Sequence, residues 1–96
     1  MTKTVLVSSC LRGRPASENR PNSIKHFRDL IRTDGFIKEP NVIESAAGDY
    51  YIVADGNNRL TAYALEGINE IEVIVIGKQE TVGVLGKHYG DFITNL

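Results

Sequence analysis

Five consecutive residues, Asp55, Gly56, Asn57, Asn58 and Arg59, put a carboxylate, a glycine, two amides and a guanidinium side by side in this 96-residue sequence. Glycine lets a ligand approach the main chain and takes conformations that other residues resist. Asparagine can cap a helix or donate side-chain hydrogen bonds. Arginine carries a permanent charge on a planar fork of donors suited to phosphate oxygens. The five residues separate an apolar segment ending at Ala54 from a helical pattern that begins at Leu60, so they read as a strand-to-helix junction. The first N–H groups of a helix have no intrahelical partner and attract anions. One reading is a phosphate cradle formed by Gly56, Asn57, Asn58 and Arg59. The other is an ordinary turn in which Asp55 and Gly56 make the bend, an Asn caps the helix and Arg59 points into water. Asp55 adjoins the cradle and is the candidate catalytic residue, either as a base or as a carboxylate holding magnesium beside phosphates.

Further candidates lie in the polar arm at residues 8–22, which is rich in Arg, Pro, Ser and Asn. Arg12, Arg14 and Arg20 form a basic cluster there. These arginines either make a solvated arm, or complete the phosphate site, with Arg14 closing from the arm, or make a weak contact with a nucleic-acid backbone. Glu18 offers a second carboxylate, and Lys25 and His26 open the next element, where one of them could face a ligand. His88 has no cysteine or second histidine at metal spacing, so no structural metal site is expected. Cys10 is the single cysteine; it cannot form an internal disulfide and reads as a small buried hydrophobe.

The elements that must position these residues follow from periodicity. Residues 4–7 form a short β-branched strand. From Ser23, the apolar residues Ile24, Phe27, Leu30 and Ile31 recur at helical spacing, with Asn22 or Ser23 as cap, Gly35 beyond the end, and Lys25, Arg28, Asp29 and Arg32 on the exposed face. Residues 41–44 and 50–54 pair as a hairpin around a turn at 46–49. Leu60, Tyr63 and Ala64 mark a second helix that Gly67 terminates, and residues 71–77 are the strongest strand pattern. The order predicts a small α+β fold with a mixed sheet and two main helices. Residues 1–96 are expected to make one domain, with a core over 4–77 and a tail over 78–96 that includes a short helix at 81–85.

Composition narrows the function classes. At this length most of the 42% hydrophobic residues must serve packing, which leaves functional residues few and local. Eleven basic against 12 acidic residues give a formal charge of -1, which argues against a general nucleic-acid coating protein. The start lacks the features of a secretory signal and the longest apolar run, residues 73–76, is too short to span a bilayer, so a cytoplasmic protein without membrane association is expected.

The stretch YYIVADGNNRLTAYALEGINEIEVIVI, read together with Arg14 and Pro15 ahead of the first helix, resembles the ParB and sulfiredoxin superfamily. The resemblance covers roughly residues 4–77. It implies a helix-start motif that binds nucleotide phosphates, with Gly56 and Arg59 matching the two ends of that motif and a nucleoside triphosphate with Mg2+ as cofactor. Asn57 stands where sulfiredoxins carry their reactive cysteine, and an amide cannot supply a thiolate, so sulfinic acid reduction is excluded. Partition proteins of the superfamily have Glu and Arg at the places of Asn57 and Asn58 and continue into a DNA-reading domain. The sequence here stops before such a domain, so DNA clamping on that pattern is not expected. The resemblance therefore implies a nucleotide-binding domain, extending to an NTP hydrolase or phosphotransferase. The alternative is a small DNA-, RNA- or protein-binding regulatory module, or a nuclease, on the same fold.

Overall fold

Runs of β-branched residues supply the strands of a mixed sheet, and two amphipathic segments supply the helices beside it. The structure, a computed structural model, describes residues 1–13, 19–35, 37–79 and 91–94. In chain order the elements are β1 (Thr2–Leu6), a 3-10 turn (Val7–Ser9), β2 (Cys10–Leu11), α1 (Pro21–Arg32), β3 (Asn41–Glu44), β4 (Tyr51–Asp55), α2 (Asn57–Leu65) and β5 (Glu70–Lys78). The sheet order is β1-β5-β3-β4-β2. β1 pairs with β5, and β3 with β4, antiparallel, whereas β3 with β5 and β2 with β4 are parallel. This is the α+β architecture that the order of patterns predicts.

Alternation sets the register. Along β5, Ile71 and Val73 are buried while Glu70 and Glu72 are exposed, and Val5 of β1 lies opposite Ile71, so both strands turn the same parity inward. Val7, Cys10, Val42, Tyr51, Val53, Leu60 and Ile93 complete the core. Lys3 of β1 reaches Glu44 and lies 5.3 Å from the ring centroid of Tyr51, although β1 and β4 are separated by two strands. Strands lie about 4.8 Å apart, so these contacts require a sheet that curls toward its own inner face.

Cys10 is fully buried, its Sγ 3.6 Å from the carbonyl of Leu6. Burial pushes its thiol up to about 12, which bears out the reading of this residue as packing.

The helices differ in how their ends are made. α1 begins at Pro21 with Arg20 as N-cap and no side-chain cap. The expected caps, Asn22 and Ser23, are thus already inside the first turn, because proline preset for helical φ starts the helix two residues sooner. α2 closes on Gly67 at φ 72°, where the N–H groups of Gly67 and Ile68 donate to the carbonyls of Ala64 and Tyr63 at 3.1 and 3.0 Å. That paired arrangement satisfies carbonyls that the helix leaves open, as the sequence led us to expect of Gly67. The polar arm also holds more structure than expected, since the 3-10 turn and β2 fall within it or at its edge. The expected helix at 81–85, together with Arg14, Pro15, Glu18 and His88, lies outside the described residues.

α1 packs on α2, and Glu66 fastens the pair. Its carboxylate accepts from Arg28 Nη2 at 3.1 Å and is also bound by Arg32, so this part of the α1 face forms an ion cluster with α2, with Arg32 still exposed as expected and Arg28 half-buried. The Arg32 hydrogen bond first, and Arg28 second, hold the Glu66 carboxyl below its usual value of 4.5. A lowered folded-state value contributes stability above the unfolded-state value and loses it as pH falls through the folded one. Glu66→Gln should therefore lower the thermal midpoint at neutral pH, and its difference from the parent should shrink as pH drops below 4.5, measured by circular dichroism melts from pH 3 to 7. A constant difference across that range would remove Glu66 ionisation as the cause.

Candidate functional site

The junction between β4 and α2 is built around Gly56. Its φ of 113° lies in the left-handed region, and a Cβ there would come within 2.8 Å of Pro40 Cβ and 3.2 Å of the Arg59 guanidinium. Gly56 is thus required both by its conformation and by the side chain laid against it. Gly56 is also the N-cap of α2, and its carbonyl accepts the first intrahelical bond, from Leu60 N at 2.9 Å. The amides of Asn57, Asn58 and Arg59 precede that bond and point out of the helix end.

Neither asparagine caps the helix. Asn57 Oδ1 accepts from the N–H of Gly13 at 3.0 Å, and Asn58 Oδ1 accepts from the N–H of Arg20 at 3.2 Å. These amides therefore pin both ends of the segment that carries Arg14 onto the first turn of α2, across 44 and 38 residues of sequence. Gly13 is fitted to this contact: a Cβ on it would lie 2.0 Å from the carbonyl oxygen of Val53 in β4.

Arg59 does not point into water, as the ordinary-turn reading would have it. Its side chain is 11% exposed; Nη1 donates to Lys38 O at 2.8 Å, and Nη2 pairs with Asp55 Oδ2 at 3.2 Å. The arginine thereby holds the loop before β3 against the start of α2. Asp55 remains 67% exposed, with one oxygen engaged by Arg59.

These residues form one side of a cleft of about 520 Å³, whose opposite wall is α1. That size lies within the range of sites for small molecules and cofactors. Asp55, Gly56, Asn57, Asn58 and Arg59 all line it, so the structure brings together every described residue singled out at the junction. Of the two basic candidates at the start of α1, His26 lines the cleft, while Lys25 borders a separate groove with Arg28 and Arg32. Phe27, Leu30 and Ile37 give the cleft an apolar wall, and Asn19 and Lys38 add polar groups. Sequence reasoning took Phe27 and Leu30 only as packing residues. No signal in the sequence separates a half-buried residue at a cleft from one at the core. Among the described residues no three His, Cys, Asp or Glu side chains converge as a metal cluster.

Arg12 departs most from its expected place. Instead of a solvated arm position it is 2% exposed, with Nη1 donating to Asn19 Oδ1 at 3.3 Å and Thr61 Oγ1 at 3.4 Å.

Among solved structures, the protein Atu1540 from Agrobacterium tumefaciens is similar with a TM-score of 0.71 at 13% identity. The match covers 88% of this chain and 42% of that one, so the chain spans less than half the length of that relative. At such low identity the likeness concerns the fold. A search of curated proteins finds no match. The model of the ParB N-terminal domain matches residues 4–84, which takes in the arm, α1, the β3–β4 hairpin, the Gly56–Arg59 junction and β5. With most of its length matched, and with the sheet order and helix-start glycine in place, this chain belongs to the ParB N-terminal domain family.

Proposed function

We propose that this domain binds the phosphate groups of a nucleotide at the start of α2. The observation that carries the reading is that the first turn of α2, with its free amides and Arg59, opens into a cleft large enough for a nucleotide. The N–H groups of Asn57, Asn58 and Arg59 face the phosphates, and the positive end of the nine-residue helix adds to their pull. Arg59 supplies a guanidinium already held in place by Lys38 O and Asp55, which limits the entropy lost on binding. Arg14 is the further cation assigned to the site by its place in sequence, between Gly13 and Arg20, which are bonded to the same turn. The apolar wall of Phe27, Leu30 and Ile37 receives the sugar and base.

A magnesium ion fits this site in a limited way. Asp55 is an exposed carboxylate beside the cradle, and magnesium bound with phosphates keeps several waters and takes only one or two protein carboxylates. Asp55 would hold the ion, and the ion would neutralise phosphate charge. A Mg2+-dependent hydrolase or phosphotransferase would then depend on this residue. Asp55→Asn, which suits the same turn, should abolish most Mg2+-dependent turnover and leave the fold intact. A phosphate-release assay with ATP, CTP and GTP checks this. Unaltered turnover in the variant would move the chemistry elsewhere, and no turnover in the parent would define a binding module.

A nucleic-acid module is less well supported. Of the arm arginines Arg12, Arg14 and Arg20 counted for a duplex contact, Arg12 is buried, so the cations available for it are reduced. Isothermal titration of ATP, CTP, GTP, ADP and pyrophosphate, with and without Mg2+, tests the proposal. Saturable binding of at least one compound is expected. Absence of binding by all of them, alongside tight and salt-resistant duplex binding, would replace this reading with the nucleic-acid one.

A further inference from the structure

Arg12 sits beside the first turns of α2 at 2% exposure, and its hydrogen-bond partners among the described residues, Asn19 and Thr61, are neutral. Among the described residues its guanidinium donates only to an amide and a hydroxyl oxygen, and Nε has no hydrogen-bond partner there. Among the described residues no carboxylate forms an ion pair with it. A buried cation with no anion beside it is strongly unfavourable, and each unpaired buried polar atom calls for an explanation.

Both of its partners belong to the cleft. Asn19 lines it, and Thr61 Oγ1 donates at 2.8 Å to the carbonyl of Asn57, another lining residue. Arg12 is thus one side chain behind the cradle. The Arg59 charge is partly offset by Asp55, whereas that of Arg12 has no such neighbour among the described residues. Resting on the phosphate-binding reading above, we propose that Arg12 is a second cationic determinant of the site. The negative charge of a bound polyphosphate balances its buried charge, and it holds Asn19 and the first turn of α2 in position. In a low-dielectric interior such attraction acts across the width of a side chain and is little screened by salt.

The experiment titrates inorganic phosphate, pyrophosphate and tripolyphosphate into the parent, Arg12→Lys and Arg12→Met, with urea unfolding of each. Arg12→Met should weaken pyrophosphate about tenfold, the order expected of one unit charge held close behind the site without direct contact. The loss should grow from phosphate to tripolyphosphate and change little with salt, and Arg12→Lys should recover part of it. Without ligand, Arg12→Met should be as stable as the parent or more so, since an apolar side chain of similar length replaces an uncompensated charge. Equal losses for all three anions, or unchanged affinity, would overturn the assignment and leave Arg12 structural. Should Arg12→Met fail to fold, the Arg12 Nε–H resonance of the parent decides: it must move on saturation with pyrophosphate, and a stationary resonance overturns the proposal. A Glu18→Gln variant that loses stability while binding anions normally would assign Arg12 to an internal ion pair and likewise overturn the proposal. A parent that binds none of the three anions removes the phosphate-binding reading itself, whereas a parent that binds while Arg12→Met binds equally removes only this inference.

Discussion

Replacing Gly13 with alanine is expected to destabilise the fold by about 3 kcal/mol or more, the upper range for overpacking a site that cannot relax. The added Cβ would lie 2.0 Å from Val53 O and 3.2 Å from Val53 C. Both are backbone atoms of β4, which is held between β2 and β3, so the strand cannot retreat without breaking sheet pairing. The arm must move instead, and it would lose the bond from Gly13 N–H to Asn57 Oδ1. The variant should therefore unfold at lower urea, and whatever remains folded should bind pyrophosphate more weakly than the parent. Unfolding curves for Gly13→Ala and, as a control on an open glycine, Gly77→Ala check this, because a Cβ at Gly77 meets nothing within 4 Å. Equal midpoints for the two variants would show that the arm is not seated against β4.

The second large effect belongs to Arg59. Arg59→Ala should weaken pyrophosphate by about 1.5 to 3 kcal/mol, the usual range for hydrogen bonds to charged groups. Two losses combine: the guanidinium no longer meets the phosphate, and Lys38 O and Asp55 lose the group that holds the loop before β3 to α2. Fold stability should fall by only about 1 kcal/mol, since the bonds concerned lie at the surface end of the side chain. Arg59→Lys keeps the charge but not the fork, so it should bind with intermediate affinity. Calorimetry on the three proteins separates the outcomes. An unchanged dissociation constant in Arg59→Ala would make the residue a loop fastener and nothing more.

How much of this was legible in the sequence depends on the range of the interactions involved. The hairpin, α2 with its Gly67 end, and β5 rest on periodicity and local turn chemistry, and they stand as read. β2 was not legible, because two residues within a polar arm carry no alternation, and their strand is defined by a parallel partner 41 residues away. The start of α1 was misplaced because Asn22 and Ser23 are good caps, while Pro21 at the first helical position outweighs them. At the candidate site, the sequence pointed to Gly56 and Arg59 as the ends of the motif, and the left-handed glycine with the guanidinium against it gives that choice a geometry. The work of Asn57 and Asn58 as tethers could not be read, since their partners at Gly13 and Arg20 are distant in sequence. The burial of Arg12, which excludes the solvated-arm alternative for it, was not legible for a related reason: an arginine in a polar stretch looks solvated until the fold closes Asn19 and Thr61 around it.

The most direct test of phosphate recognition at the start of α2 is a pyrophosphate titration followed by backbone amide resonances of the isotope-labelled protein. The amides of Gly56, Asn57, Asn58 and Arg59 should show the largest shifts, moving together along one saturable binding curve. If those four remain still while the resonances of Lys25, Arg28 and Arg32 move, the anion binds the separate groove along α1, and phosphate recognition at the Gly56–Arg59 junction is contradicted.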